Sequence, residues 1–541
     1  MRFCSVGLRL MCGLFAAFLM SCTQLPMKHF NLQDEWLRRV PQTSAASALS
    51  PDWRHGPFMQ IYVRGYQDSN GDGHGDLQGL IRRLDYLQSL GVKGLWLMPI
   101  MESQDKDHGY AVTHYRAIDP DYGTMDDFDA LIREAHHRGM GVILDYLINH
   151  SATDHPLFER ASADRHSPFR DWYVWSDRKP LGWKIYNQDP WYEMDTGFYF
   201  AGFGHQMPDF NLRNPDVLAW HEDNLRFWLN RGVDGFRFDA AGNLIENGPD
   251  KWELQPENHV LMKRLRDVVH AYDHRFVVCE APGGPQAFAG QDSCGHSFAF
   301  AQQASIIGAA AGDEDSISDA AHYFLTAPQG MATFLSNHDH FAGERPFDQL
   351  EGQMSALRLA AATYLLMPGT PFIYYGEEIG MAGAKNLKGD HRLRTPMSWT
   401  GDLLAAGFSE VAPFRALSAN AQRHHVQLQE SQPGSLLNHY RQLIALRNSQ
   451  PALMKGSYEH VLVRGTTLVF HRRWVGEHLV VMFNYSRKPA EVAVDHLSPQ
   501  AQLRQLGGPV QTASDRVVRE GKVMMRLPAQ TFGVWAVDVS R

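Results

Sequence analysis

The sequence predicts an α/β fold: a (β/α)8 barrel with a domain inserted after its third strand and an antiparallel β-domain at the C-terminal end. Three observations predict it. A unit of amphipathic helix, glycine and apolar strand recurs along the chain. Apolar strands alternating with helices read as parallel strands buried on both faces. The length of 541 residues suffices for one large barrel with attachments.

Residues 1–21 carry Arg2 and Arg9, then an apolar run from Leu10 to Met20. This reads as a secretory signal, and the run is shorter than the ~20 residues that span a bilayer. Its ending, Leu19-Met20-Ser21-Cys22, resembles the bacterial lipobox. That resemblance implies cleavage before Cys22, a lipid on Cys22, and an exported cell-envelope lipoprotein, periplasmic or outer-membrane-anchored. Residues 22–52 are polar and Ser/Ala-rich and read as a tether or loosely packed arm, with a short helix over 32–40.

The barrel is expected over 53–150 and 214–450. Its first helix, 76–90, places Leu77, Leu80, Ile81, Leu84, Leu87 and Leu90 on one face and leads to a strand at 94–98. The second unit runs from Met125 to Gly139 and a strand at 142–145, the third from Asn214 to Gly232 and a strand at 235–239. Gly91, Gly139 and Gly232 sit where a helix end needs positive φ. Further strands at 59–63, 276–279, 298–301, 332–335 and 371–375 complete eight, which favours a closed barrel over an open doubly wound sheet. Residues 151–213 show no helical period, hold many Trp and Tyr, and are too long for a simple loop, so they read as the inserted domain. Over 455–541 short alternating segments predict a β-sandwich domain.

Lys plus Arg number 51 against 60 Asp plus Glu, a net charge of −9 that excludes electrostatic capture of nucleic acid. The 13 Trp, 19 Tyr and 29 Phe mostly fill cores, and their surplus suits a ligand with flat apolar faces. A monomer is expected. Three of the five Cys lie in the leader, leaving Cys279 and Cys294, and no CxxC pair supports zinc or thioredoxin chemistry. Because Cys279 falls inside an apparent buried strand, two free thiols are expected.

Asp145, Asp239, Glu280 and Asp339 follow apolar strands, which places them on the C-terminal rim where barrels build active sites. Any one of them alone also reads as a cap or turn residue. Together with Arg237, His150 and His338 they form a set of carboxylates with the groups that balance them. Arg237 lies two residues before Asp239, on the same strand face, and would keep it ionised. Paired carboxylates of this kind suit cleavage of a glycosidic bond, one ionised and attacking, one protonated and donating.

The segments Asp145-Tyr-Leu-Ile-Asn-His150, Gly235-Phe-Arg-Phe-Asp239, Glu280 after Val-Val-Cys, and Phe334-Leu-Ser-Asn-His-Asp339 resemble, in order, four signature regions of the α-amylase family of retaining glycoside hydrolases, family 13. Met207-Pro-Asp-Phe-Asn211 resembles the fifth. Tyr375-Gly-Glu-Glu-Ile-Gly-Met381 and Arg394-Thr-Pro-Met-Ser-Trp399 match stretches of its oligosaccharide-acting branches. The likeness covers 53–541. It implies Asp239 as nucleophile, Glu280 as general acid/base and Asp339 as the acid that holds sugar hydroxyls. His150, Arg237 and His338 would line the same sugar subsite. Asp107 and Tyr110 match the family's Asp-x-Gly-Tyr, whose Tyr stacks on the reacting sugar. MPDFN stands between the MPDLN of neopullulanase-like and the QPDLN of oligo-1,6-glucosidase-like members, so the bond preference stays open. The resemblance implies cleavage of α-1,4 bonds in malto-oligosaccharides or starch. The alternative is an exo-acting α-glucosidase or a transglycosylase of trehalose-synthase or oligo-1,6-glucosidase type. A noncatalytic glycan-binding protein on this barrel would be expected to lack one of the three acids.

Asp68, Asn70, Asp72 and Asp76 stand at positions 1, 3, 5 and 9 of a loop, with the backbone carbonyl of His74 at 7. That spacing suits a hard cation, and a structural Ca²⁺ is expected there, as in oligo-1,6-glucosidase-like members. Gly79 at position 12 excludes a true EF-hand. The competing reading is a Gly/Asp turn whose acids cap the helix beginning at Asp76.

Overall fold

The computed structural model describes residues 35–43, 46–508, 516–517 and 520–538; the signal segment 1–21 and the lipid expected on Cys22 lie outside the described residues. Eight parallel strands line its centre: β1 (Phe58–Ile61), β2 (Gly94–Leu97), β3 (Gly141–Tyr146), β4 (Gly235–Phe238), β5 (Phe276–Cys279), β6 (Ser297–Phe298), β7 (Met331–Thr333) and β8 (Thr370–Tyr374). They close in the order β1-β8-β7-β6-β5-β4-β3-β2, so each strand lies beside its neighbours in sequence, as expected of a (β/α)8 barrel.

The closure follows from local chemistry. Helix Met125–His137 starts with a capping box in which Thr124 and Asp127 satisfy each other's backbone N–H groups. Gly91, Gly139 and Gly232 take φ values of 92°, 70° and 102°, the turn each helix needs to re-enter the sheet. The expected 76–90 helix is two helices, Leu77–Arg82 and Leu84–Leu90, broken at Arg83, where φ −103° and ψ 2° interrupt the bonding. β6 stops short of the expected 301, because Ala301 turns to φ 74° ahead of helix Gln302–Ala311.

Inside the barrel, Phe58, Phe276, Phe298 and Phe372 pack with Trp96, and Phe58 stacks on Phe372 at 4.6 Å. Trp53 closes the N-terminal end against Phe58. The interior is therefore a solid aromatic plug, and the acids singled out above sit beyond it, at the C-terminal ends of the strands. Between β3 and helix Pro215–Asn230 the chain builds a three-stranded antiparallel sheet (Trp175–Ser176, Gly197–Phe200, Trp191–Met194) and, within the stretch that shows no helical period, helix Pro156–Ala163. A proline and the His155 side chain start that helix, and eight residues are too few to show a period.

After helix Leu436–Ser449 come β9 (Glu459–Arg464), β10 (Thr467–Trp474), β11 (Glu477–Asn484), β12 (Ala490–Val494), β13 (Gln502–Gly507), β14 (Arg516–Val517), β15 (Val523–Leu527) and β16 (Thr531–Asp538). They form an antiparallel six-stranded sheet, β9-β10-β11-β16-β13-β14, and a two-stranded one, β12-β15. Val480, Met482, Val492, Met525 and Trp535 are buried together beneath them. No helix among the described residues is long and apolar enough to cross a membrane.

Two further expectations are corrected. The arm is not loose over 35–43: Leu37 is buried, Trp220 donates to the Trp36 carbonyl at 2.9 Å, and Arg39 pairs with Asp223 at 3.3 Å. Its Trp and Leu give the segment an apolar anchor on helix Pro215–Asn230. Nor are the two cysteines free: Cys279 and Cys294 form a disulfide. β6 pairs with β5 through Ser297 and Cys279, so the chain returning to β6 carries Cys294 back to the strand that seemed to isolate Cys279. Closing a loop of 15 residues stabilises the fold by about 3 kcal/mol. Cys294→Ser should therefore melt several degrees below the parent in calorimetry; equal melting temperatures would show that the bond contributes nothing.

Candidate active site

In the sheet register Arg237 of β4 stands opposite Asp145 of β3 and beside Val278 of β5. Asp239 and Glu280 lie one residue past β4 and β5, and the ladder continues through them: Asp239 N–H donates to the Tyr146 carbonyl (3.1 Å) and Glu280 N–H to the Phe238 carbonyl (3.0 Å). Three carboxylates are thus fixed around one guanidinium. Arg237 Nη1 donates to Asp145 Oδ1 at 2.7 Å and to Asp239 Oδ1 at 2.6 Å, and Nη2 meets Glu280 Oε2 at 2.7 Å. Ala240, at φ 45°, takes a left-handed turn unusual for a residue with a Cβ, and its N–H donates to Glu280 Oε2 at 3.2 Å.

Asp339 faces this cluster from the loop after β7. Arg394 holds it: Nη2 donates to Asp339 Oδ1 (3.0 Å), Nε to the His338 carbonyl (3.0 Å) and Nη1 to Asp107 Oδ2 (3.3 Å). Asp107 also accepts from Arg415 Nη2 (2.5 Å) and the Tyr62 hydroxyl (2.9 Å). A relay joins the two halves. The Gln60 amide nitrogen faces His338 Nδ1 at 2.7 Å, which leaves the ring proton on Nε2. Nε2 donates to the Tyr110 hydroxyl (2.6 Å), and that hydroxyl donates to Asp145 Oδ2 (2.9 Å).

Burial pushes Glu280 up; Arg237 works against this and Asp239 adds to it. Burial likewise lifts Asp145 and Asp339 to about 7, opposed by Arg237 and by Arg394 respectively. For Asp107 burial acts upward too, but Arg415 and Arg394 outweigh it and hold the group at about 2. Burial lowers His338 well below its usual value and His150 to about 4, so both rings are neutral at pH 7.

A cavity of about 320 Å³ opens over these groups, lined by Tyr110, His150, Asp239, Glu280, Asp339 and Arg394. Tyr186 and Phe341 stand exposed at its mouth. His150 Nε2 is buried and has no partner. Of the residues singled out in the sequence, the three acids, Tyr110 and His150 line the cavity. Arg237 and His338 lie beneath it, and Asp107 sits behind Arg394. Arg394 and Gln60 were not singled out. Arg394 lies in a quoted motif but carries no signal of its own, whereas Gln60 is legible as a polar residue in an otherwise apolar buried strand.

The 68–76 loop stands apart from this cavity. Asp68 accepts from the N–H groups of Asn70, Gly71 and Gly73, Asn70 from Asp72, Asp72 from His74, and Asp76 from Ser69 and Gly79. Gly73, the sixth position, has φ 88°, the sharp turn of cation loops of this spacing. The His74 ring stacks on Phe414, so its contribution to a cation would be the carbonyl. Three carboxylates, an amide oxygen and that carbonyl suit a hard cation. Among the described residues, however, no three His, Cys, Asp or Glu side chains converge on one point.

Comparison with known proteins is decisive for the family. The model of the α-amylase catalytic domain matches residues 60–456. The chain belongs to the α-amylase family. Alpha-amylase 3 of Dictyoglomus thermophilum is 34% identical over 446 residues, covering 81% of this chain and 86% of that one. The trehalose synthase/amylase TreS of Mycobacterium tuberculosis is 32% identical over 84% of this chain and 85% of its own. Among solved structures, the α-amylase from H. orenii superposes with a TM-score of 0.77 at 32% identity, covering 90% of this chain and all of that one. This member of the family is a glycoside hydrolase or transglycosylase acting on carbohydrate.

The raised Asp339 gives a stability test. A carboxyl with a folded pKa near 7 and an unfolded one near 4 binds its proton more tightly when folded. Its contribution is complete below pH ~4 and lost as pH rises through about 7. Asp339→Asn should therefore melt above the parent at pH 8, by a margin that shrinks toward pH 5. A pH-independent margin in calorimetry would contradict the assigned protonation.

Proposed function

We propose that this chain is a retaining α-glucan hydrolase that cleaves α-1,4-glucosidic bonds of malto-oligosaccharides and starch. The observation that carries this reading is the pair Asp239 and Glu280, held at 2.6 and 2.7 Å on the two terminal nitrogens of the one Arg237 guanidinium. Sharing one guanidinium keeps the two carboxyls close, as a retaining mechanism requires. Ionised Asp239 attacks the anomeric carbon while Glu280 gives its proton to the leaving oxygen, and a β-linked glucosyl ester forms. Glu280, now ionised, takes a proton from water as the water oxygen attacks the same carbon. The ester bond breaks, Asp239 regains its charge, and the α-product leaves. Asp339, oriented by Arg394, and the neutral His150 would bind the ring hydroxyls, and Tyr110, positioned from below by His338, would stack on the ring.

A second reading, an exo-acting α-glucosidase or transglycosylase, is favoured by one observation. Arg394, tied to Asp339 and backed by Asp107, puts a charged wall on the cavity beside Asp339 that would stop a chain from running on past one sugar. A product time course from maltoheptaose separates the two. Short maltodextrins from internal cuts are expected. Glucose released singly, or products longer than the substrate, would transfer the assignment to the second reading. In the same assay Glu280→Gln should lose about 10³-fold or more in kcat while still binding maltoheptaose, and near-parental kcat would remove its role.

We also propose that Asp68, Asn70, Asp72, Asp76 and the His74 carbonyl hold Ca²⁺, which would cross-link the loop after β1 and take no part in the chemistry. Addition of EDTA should lower the melting temperature of the parent but not that of Asp72→Ala. An unchanged parental melt would refute the site.

A further inference from the structure

Four histidines gather at one end of the C-terminal sheets, far along the chain from every catalytic group. His471 of β10, 1% exposed, turns Nδ1 toward Nε2 of His478 on β11 at 2.9 Å. His460 lies in β9 where the register shifts between Glu459 and Leu462, and its ring centre is 5.2 Å from that of His471. His496, in the turn after β12, stacks on His460 with ring centres 4.0 Å apart and planes 9° from parallel. Both of these residues have positive φ, 50° for His460 and 55° for His496. Two left-handed residues and a bulge thus aim two rings at a pair already joined. Such outliers persist where the surroundings enforce them and concentrate at ligand clamps. An apolar pair would fill the same buried space without the need to satisfy ring nitrogens.

The cluster is also reachable and charge-balanced. Glu459 stands opposite His471 in the β9–β10 pairing, and Asp495 lies 3.7 Å from His496. Arg473, beside it, is engaged by Glu459 at 3.3 Å. An open groove lined by Glu459, Glu477 and His478 leads to the site from solvent.

We propose that His460, His471, His478 and His496 bind a divalent transition-metal ion of the zinc type, separate from any hard cation in the 68–76 loop. Imidazole nitrogens select Zn²⁺, Cu²⁺ or Ni²⁺ over Ca²⁺. His471 Nδ1 and His478 Nε2 are close to the ~3.3 Å that two ligands keep around tetrahedral zinc with bonds of 2.0–2.1 Å. The metal takes the place of the hydrogen bond between them; the ring that donated it shifts its proton to its other nitrogen, with no net proton change. His460 and His496 complete the shell by unstacking and turning about χ1 and χ2, since no three such side chains among the described residues already converge. The ion would clip the turn after β12 to the main sheet.

The test uses the full chain without its leader, stripped with EDTA and exchanged into metal-free buffer, and titrates it with Zn²⁺ by calorimetry. One ion per chain is expected at micromolar Zn²⁺. Because His460 and His496 are the more exposed pair, the double variant His460→Ala, His496→Ala should keep the parental activity and metal-free melting temperature. Its Zn²⁺ affinity should fall on the order of tenfold or more. In Cu²⁺-loaded parent, electron paramagnetic resonance should show couplings to several imidazole nitrogens, reduced in number in the variant. Absence of Zn²⁺ binding by the parent, or equal affinity and equal nitrogen couplings in the variant, would overturn the site.

Discussion

Arg237 is almost wholly excluded from water, and three carboxyl groups surround its guanidinium in a fixed geometry. Desolvating such a charge costs several kcal/mol, which the three partners at 2.6–2.7 Å offset. Those partners come from β3, from the end of β4 and from the end of β5, so the arrangement exists only if three strands keep their register. A slip of one residue would turn Arg237 into the surrounding helices. The capping box, the left-handed glycines and the aromatic plug below all serve that register, because each decides where a strand begins or how far it stands from its neighbour.

A second arginine completes the frame from the opposite wall. Arg394 joins Asp339 to Asp107, and the relay from Gln60 through His338 and Tyr110 to Asp145 connects the two halves without adding a charge. Burial raises Asp145, Glu280 and Asp339, whereas the paired arginines keep Asp107 ionised. Carboxyls of the same intrinsic acidity are thus driven apart by their surroundings, and the upward push of burial on Glu280 suits the group that must hold a proton to donate.

Much of this was legible before any coordinates. Apolar strands ending in Asp239 and Glu280, and glycines at helix ends, encode the barrel and its rim through local periods and turn chemistry. Pairings that depend on return paths were not. Cys294 meets Cys279 only because β6 lies beside β5, and Arg394 reaches Asp339 across 55 residues of loop, helix and strand. Ala240 shows no mark in the sequence of its left-handed turn, which accompanies the hydrogen bond that its N–H makes to Glu280. The arm over 35–43 misled because its composition is polar overall, while its contact with the barrel rests on Trp36 and Leu37.

The central claim is that the Asp239–Glu280 pair around Arg237 performs two successive displacements at one carbon. Proton NMR of the first product formed from maltoheptaose, recorded before mutarotation, tests it most directly. The expected result is a new reducing end that appears as the α-anomer and only later equilibrates. A first product in the β-configuration would mean a single displacement by water, and would contradict the reading of the shared guanidinium as the centre of a retaining site.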